Sequence, residues 1–222
     1  MSKKWKIVGA EFEALLDRAL GRIFDWRYRV KTEGWVEPYQ LDAPFVSLRF
    51  AKRYQPTHMS VLKRVFELIT IDRADFHFYD FGHGKGRVLI EACNQGFAHC
   101  FGFEFSPQLF SLSIQNIEKY CHHFSKKITS FSLINDDACN LSISTQKNIY
   151  FFYNPFEGPI MRKVLERIVS QSTSLEHDQF VFVNLQQDFL LELLGFELYA
   201  NSDHPNYNRK IKIYKFKRLQ HQ

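Results

Sequence analysis

Residues 79–87 read YDFGHGKGR: three glycines within five positions, directly after the apolar, aromatic run FHFYDF (76–81) and directly before RVLIEACNQ (87–95). A β-prone run, a glycine turn and a helix in that order put the loop at the carboxyl end of a strand. Glycines there let the backbone approach a ligand and supply positive φ where a turn needs it. The helix opening near Arg87 points free N–H groups at the loop, which favours an anion.

Outward from the loop, strands and helices alternate. HCFGFEF (99–105) reads as a strand, and PQLFSLSIQNIEKYC (107–121) as a helix opened by Ser106 and Pro107 at the cap and first turn. ITSFSLINDDA (128–138) is a strand ending in acids, and NIYFFYN (148–154) is the most continuously apolar segment. Such runs fit strands covered on both faces, as in a parallel sheet. GPIMRKVLERIVSQS is a helix and QFVFVNL (179–185) a strand; GFELYA and RKIKIYKFK are two strands joined by the helix-free SDHPNYN and are therefore antiparallel. Gly96 is placed to end the first of these helices. Upstream, AEFEALLDRALGRIF (10–24) has the three-and-four spacing of an amphipathic helix, and MSVLKRVFELITI resumes helical spacing after Tyr54-Gln55-Pro56-Thr57, with Thr57 or Ser60 as its cap. The stretch between these two helices reads as irregular.

The expected fold is therefore α/β: a doubly wound, mostly parallel seven-strand sheet closed by an antiparallel hairpin, with an N-terminal helical extension. The expected division is an extension over residues 1–60, covering the active site, and a ligand-binding domain over 61–222.

The chain has 222 residues, 45% of them hydrophobic, which suits a globular domain with a real core. A formal charge of +5, from 29 Lys+Arg against 24 Asp+Glu, is too small to announce nucleic-acid binding by itself. Cys93, Cys100, Cys121 and Cys139 form no CxxC pair, and His122 and His123 beside Cys121 are badly placed to converge on one ion. Reduced thiols and no metal site are expected. No segment has the length and apolarity of a signal or membrane anchor, so a soluble, cytoplasmic protein is expected.

Two phosphate loops fail on residue order. Lys85 lies between Gly84 and Gly86 with no Ser or Thr following, unlike a P-loop, and Arg87 stands where the third glycine of a dinucleotide loop should fall. The loop matches D-x-G-x-G-x-G, as Asp80-Phe81-Gly82-His83-Gly84-Lys85-Gly86. Here the chain resembles the class I S-adenosylmethionine-dependent methyltransferases, over roughly residues 76–218. Glu104, closing HCFGFE 24 positions after Asp80, matches the family's ribose-binding acid, though that position alone suits NAD equally. Asp137-Ala138 matches its adenine-side acid, with Asp136 leaving the register open by one residue. Tyr153-Asn154-Pro155-Phe156 resembles the N-P-P-Y or D-P-P-Y of amine-methylating members, one proline short.

The resemblance implies S-adenosylmethionine as cofactor. Asp80 would meet its ammonium, directly or through water, and Gly82, Gly84 and Gly86 its methionine end. Similar Y-x-P-T segments in some members close over that end. Tyr54 would then line the pocket and the Thr57 hydroxyl bond the carboxylate; the plain alternative is a turn with Thr57 as helix cap. Asn154, Pro155 and Phe156 would form the acceptor site, Asn154 accepting N–H bonds from an amine, with Glu157 a weaker candidate. His83 and Lys85 are expected to point into solvent. The basic terminal strand reads as a solvated face, or as a landing surface for an acidic partner. The acceptor order is protein lysine, then a small-molecule amine, then nucleic acid. A non-catalytic sensor of the cofactor and a nicotinamide oxidoreductase are the competing classes.

Overall fold

The computed structural model describes residues 3–40, 53–124, 130–155, 158–184, 189–204 and 209–217. Helix α1 (Lys3–Tyr28) is followed by a segment with a short 3-10 turn at Pro38–Gln40, and Val36 in it bridges Tyr54, just ahead of α2 (Met59–Leu68). Then follow β1 (Phe76–Phe81), α3 (Arg87–Asn94), β2 (His99–Phe103), α4 (Pro107–Phe124), β3 (Phe131–Ile134), β4 (Lys147–Tyr153), α5 (Gly158–Gln171), β5 (Gln179–Val183), α6 (Phe189–Leu193), β6 (Phe196–His204) and β7 (Arg209–Phe216).

Seven strands form one sheet in the order β3-β2-β1-β4-β5-β7-β6. The first five are parallel, and β7 pairs antiparallel with both β5 and β6. This is the doubly wound sheet with a terminal hairpin that the sequence predicts. Alternation along β1 sends Phe78 to one face and Tyr79 and Phe81 to the other. Phe78 joins α2, α3 and α4 in one apolar layer, and Tyr79 and Phe81 join α5 in a second. On the second face Phe103, Phe81, Phe152 and Phe182 stack as a ladder across four strands, with centroids 5.4, 4.6 and 4.8 Å apart and planes within 9°. Each such contact adds about 1 kcal/mol beyond simple burial and stiffens the sheet beneath its carboxyl edge.

Local signals hold where they are purely local. Ser106 Oγ accepts from Leu109 N with Pro107 as first helical residue, and Gly96 takes the left-handed position (φ 89) after α3. Several expectations need correction. Neither Thr57 nor Ser60 caps α2; His58 is its cap residue and makes no side-chain capping bond. The capping acceptor comes from another helix, since Asp17 of α1 accepts from Ser60 N (3.2 Å) and Ser60 Oγ (2.8 Å). Helix α1 is longer than its periodic stretch and does not pack on its apolar stripe. Phe12, Leu15, Leu16, Leu20 and Ile23 are exposed, while Asp17, Gly21 and Phe24 face inward. Helix α6 is five residues long, too short for its periodicity to register, and is an element that the sequence pattern does not assign. Strand β6 runs to His204 through a register shift at Leu198/Ala200, extending the expected strand. Among the described residues no helix is long and apolar enough to cross a membrane.

Candidate active site

The loop after β1 does what its glycines permit. Gly82, Gly84 and Gly86 have φ of 79°, 54° and 86°. Gly82 N and His83 N both donate to Phe103 O (2.8 and 3.2 Å), which ties the loop to the end of β2. A Cβ on Gly84 would run into the Tyr54 ring, so that residue must be glycine for conformation and for space.

Two buried carboxylates face each other across this loop. Glu104, just past β2, accepts from Gly84 N through Oε2 and from Ser106 N through Oε1, both at 2.9 Å. Burial raises its pKa from 4.5 to about 7 despite those bonds. Asp80 at the end of β1 is 3% exposed, and its Oδ2 is buried with no hydrogen-bond partner among the described residues. Burial and the neighbouring Glu104 push its carboxyl well above the usual range. A pair of this kind favours a proton or a cationic ligand.

His83 and Lys85 do not point into solvent. His83 is 4% exposed, and its ring occupies the space that Gly102 leaves by lacking a Cβ. Its Nδ1 lies 3.1 Å from Gly84 O; a carbonyl only accepts, so Nδ1 carries the proton and Nε2, buried and unpartnered, is left as an acceptor. Burial lowers its pKa to about 4. Lys85 Nζ donates to Glu33 O (2.8 Å) and sits 4.9 Å from the Tyr54 ring centre, and partial burial lowers its pKa.

The segment before α2 forms the opposite wall. Tyr54 hydroxyl donates to Thr32 O (2.7 Å), and burial raises its pKa. Thr57 is 5% exposed, and its hydroxyl makes no hydrogen bond among the described residues. Behind it lies Arg87, 3% exposed, whose Nε donates to Thr32 Oγ1 (2.7 Å), Nη1 to Thr57 O (3.3 Å) and Nη2 to Glu33 Oε1 (2.7 Å). Asp25 Oδ1 is 3.6 Å from Nη2 and also accepts from the Thr32 hydroxyl.

Tyr54, Thr57, Asp80, Gly82, Glu104, Asn154 and Pro155 thus line one cleft, open to solvent on one side, at the carboxyl edges of β1, β2 and β4. Asn154, just past the end of β4, has φ 44°, a conformation asparagine tolerates better than most residues. Pro155 Cβ would lie 3.2 Å from a Cβ on Gly82, so the fourth strand's turn touches the loop. Phe156 and Glu157 lie outside the described residues. Asp137 does not line the cleft: it accepts from Cys139 N (2.8 Å) to cap the turn Ala138–Asn140. Asp136 accepts from Asp137 N and Asn140 Nδ2, in the same exposed turn. Phe105 and Leu109 line that side of the cleft instead. The lining residues that pattern reading missed include Arg53, Gln55, His83 and Arg87. Among the described residues no three His, Cys, Asp or Glu side chains cluster as a metal site.

No family model and no curated protein matches the sequence. Solved structures do match in shape. The chain is similar to an RNA methyltransferase from Salinibacter ruber in complex with S-adenosyl-L-homocysteine (TM-score 0.57, 17% identity, 75% of this chain and 97% of that one). It is similar also to the ribosomal protein L11 methylase of Lactobacillus delbrueckii subsp. bulgaricus (0.56, 12%, 73% and 81%). A third is precorrin-6y C5,15-methyltransferase of Geobacter metallireducens (0.55, 15%, 77% and 94%). The fold is that of the class I S-adenosylmethionine-dependent methyltransferases.

Proposed function

We propose that the chain is an S-adenosylmethionine-dependent methyltransferase acting on nitrogen, with a protein lysine as first acceptor and a small-molecule amine as second. The observation that carries the cofactor reading is Asp80: a buried carboxylate oxygen without a partner, on the cleft wall, beside a second buried acid. Such a pair is relieved by a ligand that brings positive charge and several donors. The cofactor fits that description, with an ammonium, a sulfonium and two ribose hydroxyls. The residues present suit it. Asp80 would hold the ammonium, Glu104 the ribose hydroxyls, and the Thr57 hydroxyl the carboxylate, with Tyr54 as the wall and Gly82, Gly84 and Gly86 giving backbone access. On this reading the adenine side rests on Phe105 and Leu109, and Asp137 reaches it only if its turn rearranges.

When bound, the cofactor supplies an electrophilic methyl group on sulfur with a good leaving group in place. The chain's own share is alignment, exclusion of water and a nucleophile with a free lone pair. Asn154 would accept N–H bonds from the amine through its side-chain oxygen, Pro155 would stiffen the turn, and Phe156, next in the same motif, would pack on the acceptor's carbon chain. A lysine arrives as an ammonium with pKa about 10.4 and must be desolvated to lose its proton. A cytoplasmic location and the division into an extension (1–60) and a catalytic domain (61–222) belong to the same proposal.

The test is incubation with methyl-labelled S-adenosylmethionine and a cell lysate, followed by separation of protein, nucleic acid and small molecules. The control is Asn154→Gly, because φ 44° would strain an alanine there and confuse folding with chemistry. Label in one protein band, absent with the control, supports the lysine reading. Label confined to small molecules or nucleic acid replaces the acceptor, and cofactor binding with no label anywhere makes the chain a sensor.

A further inference from the structure

The cleft has two walls of different origin, and one buried guanidinium joins them. Arg87 is the first residue of the helix that follows the glycine loop. Among the described residues its three donor contacts all run to the extension: Thr32, Glu33 and Thr57. Each lies 30 or more positions away in the chain. Asp25 and Glu33 balance the charge, so the guanidinium is neutralised where it sits. A planar fork with fixed donor directions can satisfy several acceptors at once, as a lysine ammonium cannot.

Geometry gives this clamp a direction. The Thr57 carbonyl is held by Nη1 while its hydroxyl makes no bond among the described residues, on the cleft wall that Asp80 also lines. Thr32 relays the same constraint to Tyr54: its Oγ1 accepts from Arg87 and its carbonyl accepts from the Tyr54 hydroxyl. We infer that Arg87 is a positioning residue for the methionine end of the cofactor, aiming Thr57 and Tyr54 at it without touching the reacting atoms. The inference rests on the methyltransferase reading above. It makes the extension part of the binding site, and it separates the two ends of the ligand: the clamp reaches Thr57 and Tyr54, whereas Glu104 is held by the loop and Ser106.

The experiment compares two ligands on the full chain by calorimetry. S-adenosylhomocysteine has the methionine end; 5′-methylthioadenosine keeps the nucleoside and lacks it. Arg87→Met should weaken S-adenosylhomocysteine ten- to a hundredfold and leave methylthioadenosine within about twofold. Thr32→Val, which deletes one acceptor of the clamp and keeps the charge, should shift affinity the same way by a smaller factor. It decides the matter alone if Arg87→Met does not fold. Equal weakening of both ligands would reduce Arg87 to general stability and overturn the inference, as would unchanged S-adenosylhomocysteine binding. A wild-type chain that binds neither ligand refutes the methyltransferase reading itself and the inference with it.

Discussion

Glu104 and Gly84 are joined by a 2.9 Å hydrogen bond from the loop amide to the carboxylate, so the acid expected to hold a ribose also holds the loop that would sit beneath it. Two backbone amides do not fully offset its burial, and its pKa stands at about 7 instead of 4.5.

That shift has a sign. A raised folded pKa means that the protonated form is favoured by folding. The stabilisation is complete below pH 4.5 and is lost as pH rises through 7, a difference of about 3 kcal/mol. Glu104→Gln cannot ionise, and it gives up one acceptor worth about 1 kcal/mol. Urea unfolding should find it about 1–2 kcal/mol more stable than wild type at pH 8, and no more stable at pH 4.5. An equal shift at both pH values would contradict the buried-charge account.

His83 titrates the other way. Its folded pKa of about 4 lies below the ordinary 6.5, so the fold excludes the charged ring and stability falls as pH drops from 6.5 to 4. Between pH 4.5 and 6.5 the two groups oppose each other at about 1.4 kcal/mol per pH unit each. Removing the histidine with His83→Gln should therefore tilt the profile, making stability fall with rising pH by about 3 kcal/mol across that window relative to wild type. A profile parallel to wild type would show that His83 is not buried neutral.

Asp80→Asn keeps shape and removes a buried charge that has no partner on Oδ2. The free protein should gain stability, while S-adenosylmethionine affinity falls ten- to a hundredfold with the lost charge-assisted bond, worth about 1.5–3 kcal/mol. Thermal unfolding and calorimetry read the two effects separately. Loss of stability together with unchanged affinity would remove Asp80 from the site.

Glycines in the same left-handed region should differ sharply when a methyl is added. Gly84→Ala meets the Tyr54 ring and strains φ 54°, whereas Gly96→Ala strains φ 89° in open space. The second should cost about 1 kcal/mol and spare ligand binding. The first should cost at least twice that and weaken cofactor binding, both readable from melting curves with and without S-adenosylhomocysteine.

Much of this site was legible in pattern. The glycine loop, Asp80, Glu104 and Asn154-Pro155 sit at strand ends, and strand ends are marked by local runs of apolar residues and turn formers. Asp137 shows the limit of motif matching: an acid at the expected place satisfies a neighbouring amide first, and its carboxylate caps its own turn. His83 shows another, because a polar residue between two glycines gives no sign that Gly102, on the adjacent strand, leaves room for its ring.

Periodicity of two and of 3.6, together with glycine and proline punctuation, was enough for the sheet, its strand count and the position of the glycine loop. Each of those depends on neighbours within a few positions. Which face of α1 turns inward, what caps α2 and what Arg87 holds were decided only by the folded chain. Those contacts join residues 30 to 62 positions apart, and burial of their charges is tolerable only once Asp17, Asp25, Thr32, Glu33 and Thr57 have been brought to meet them.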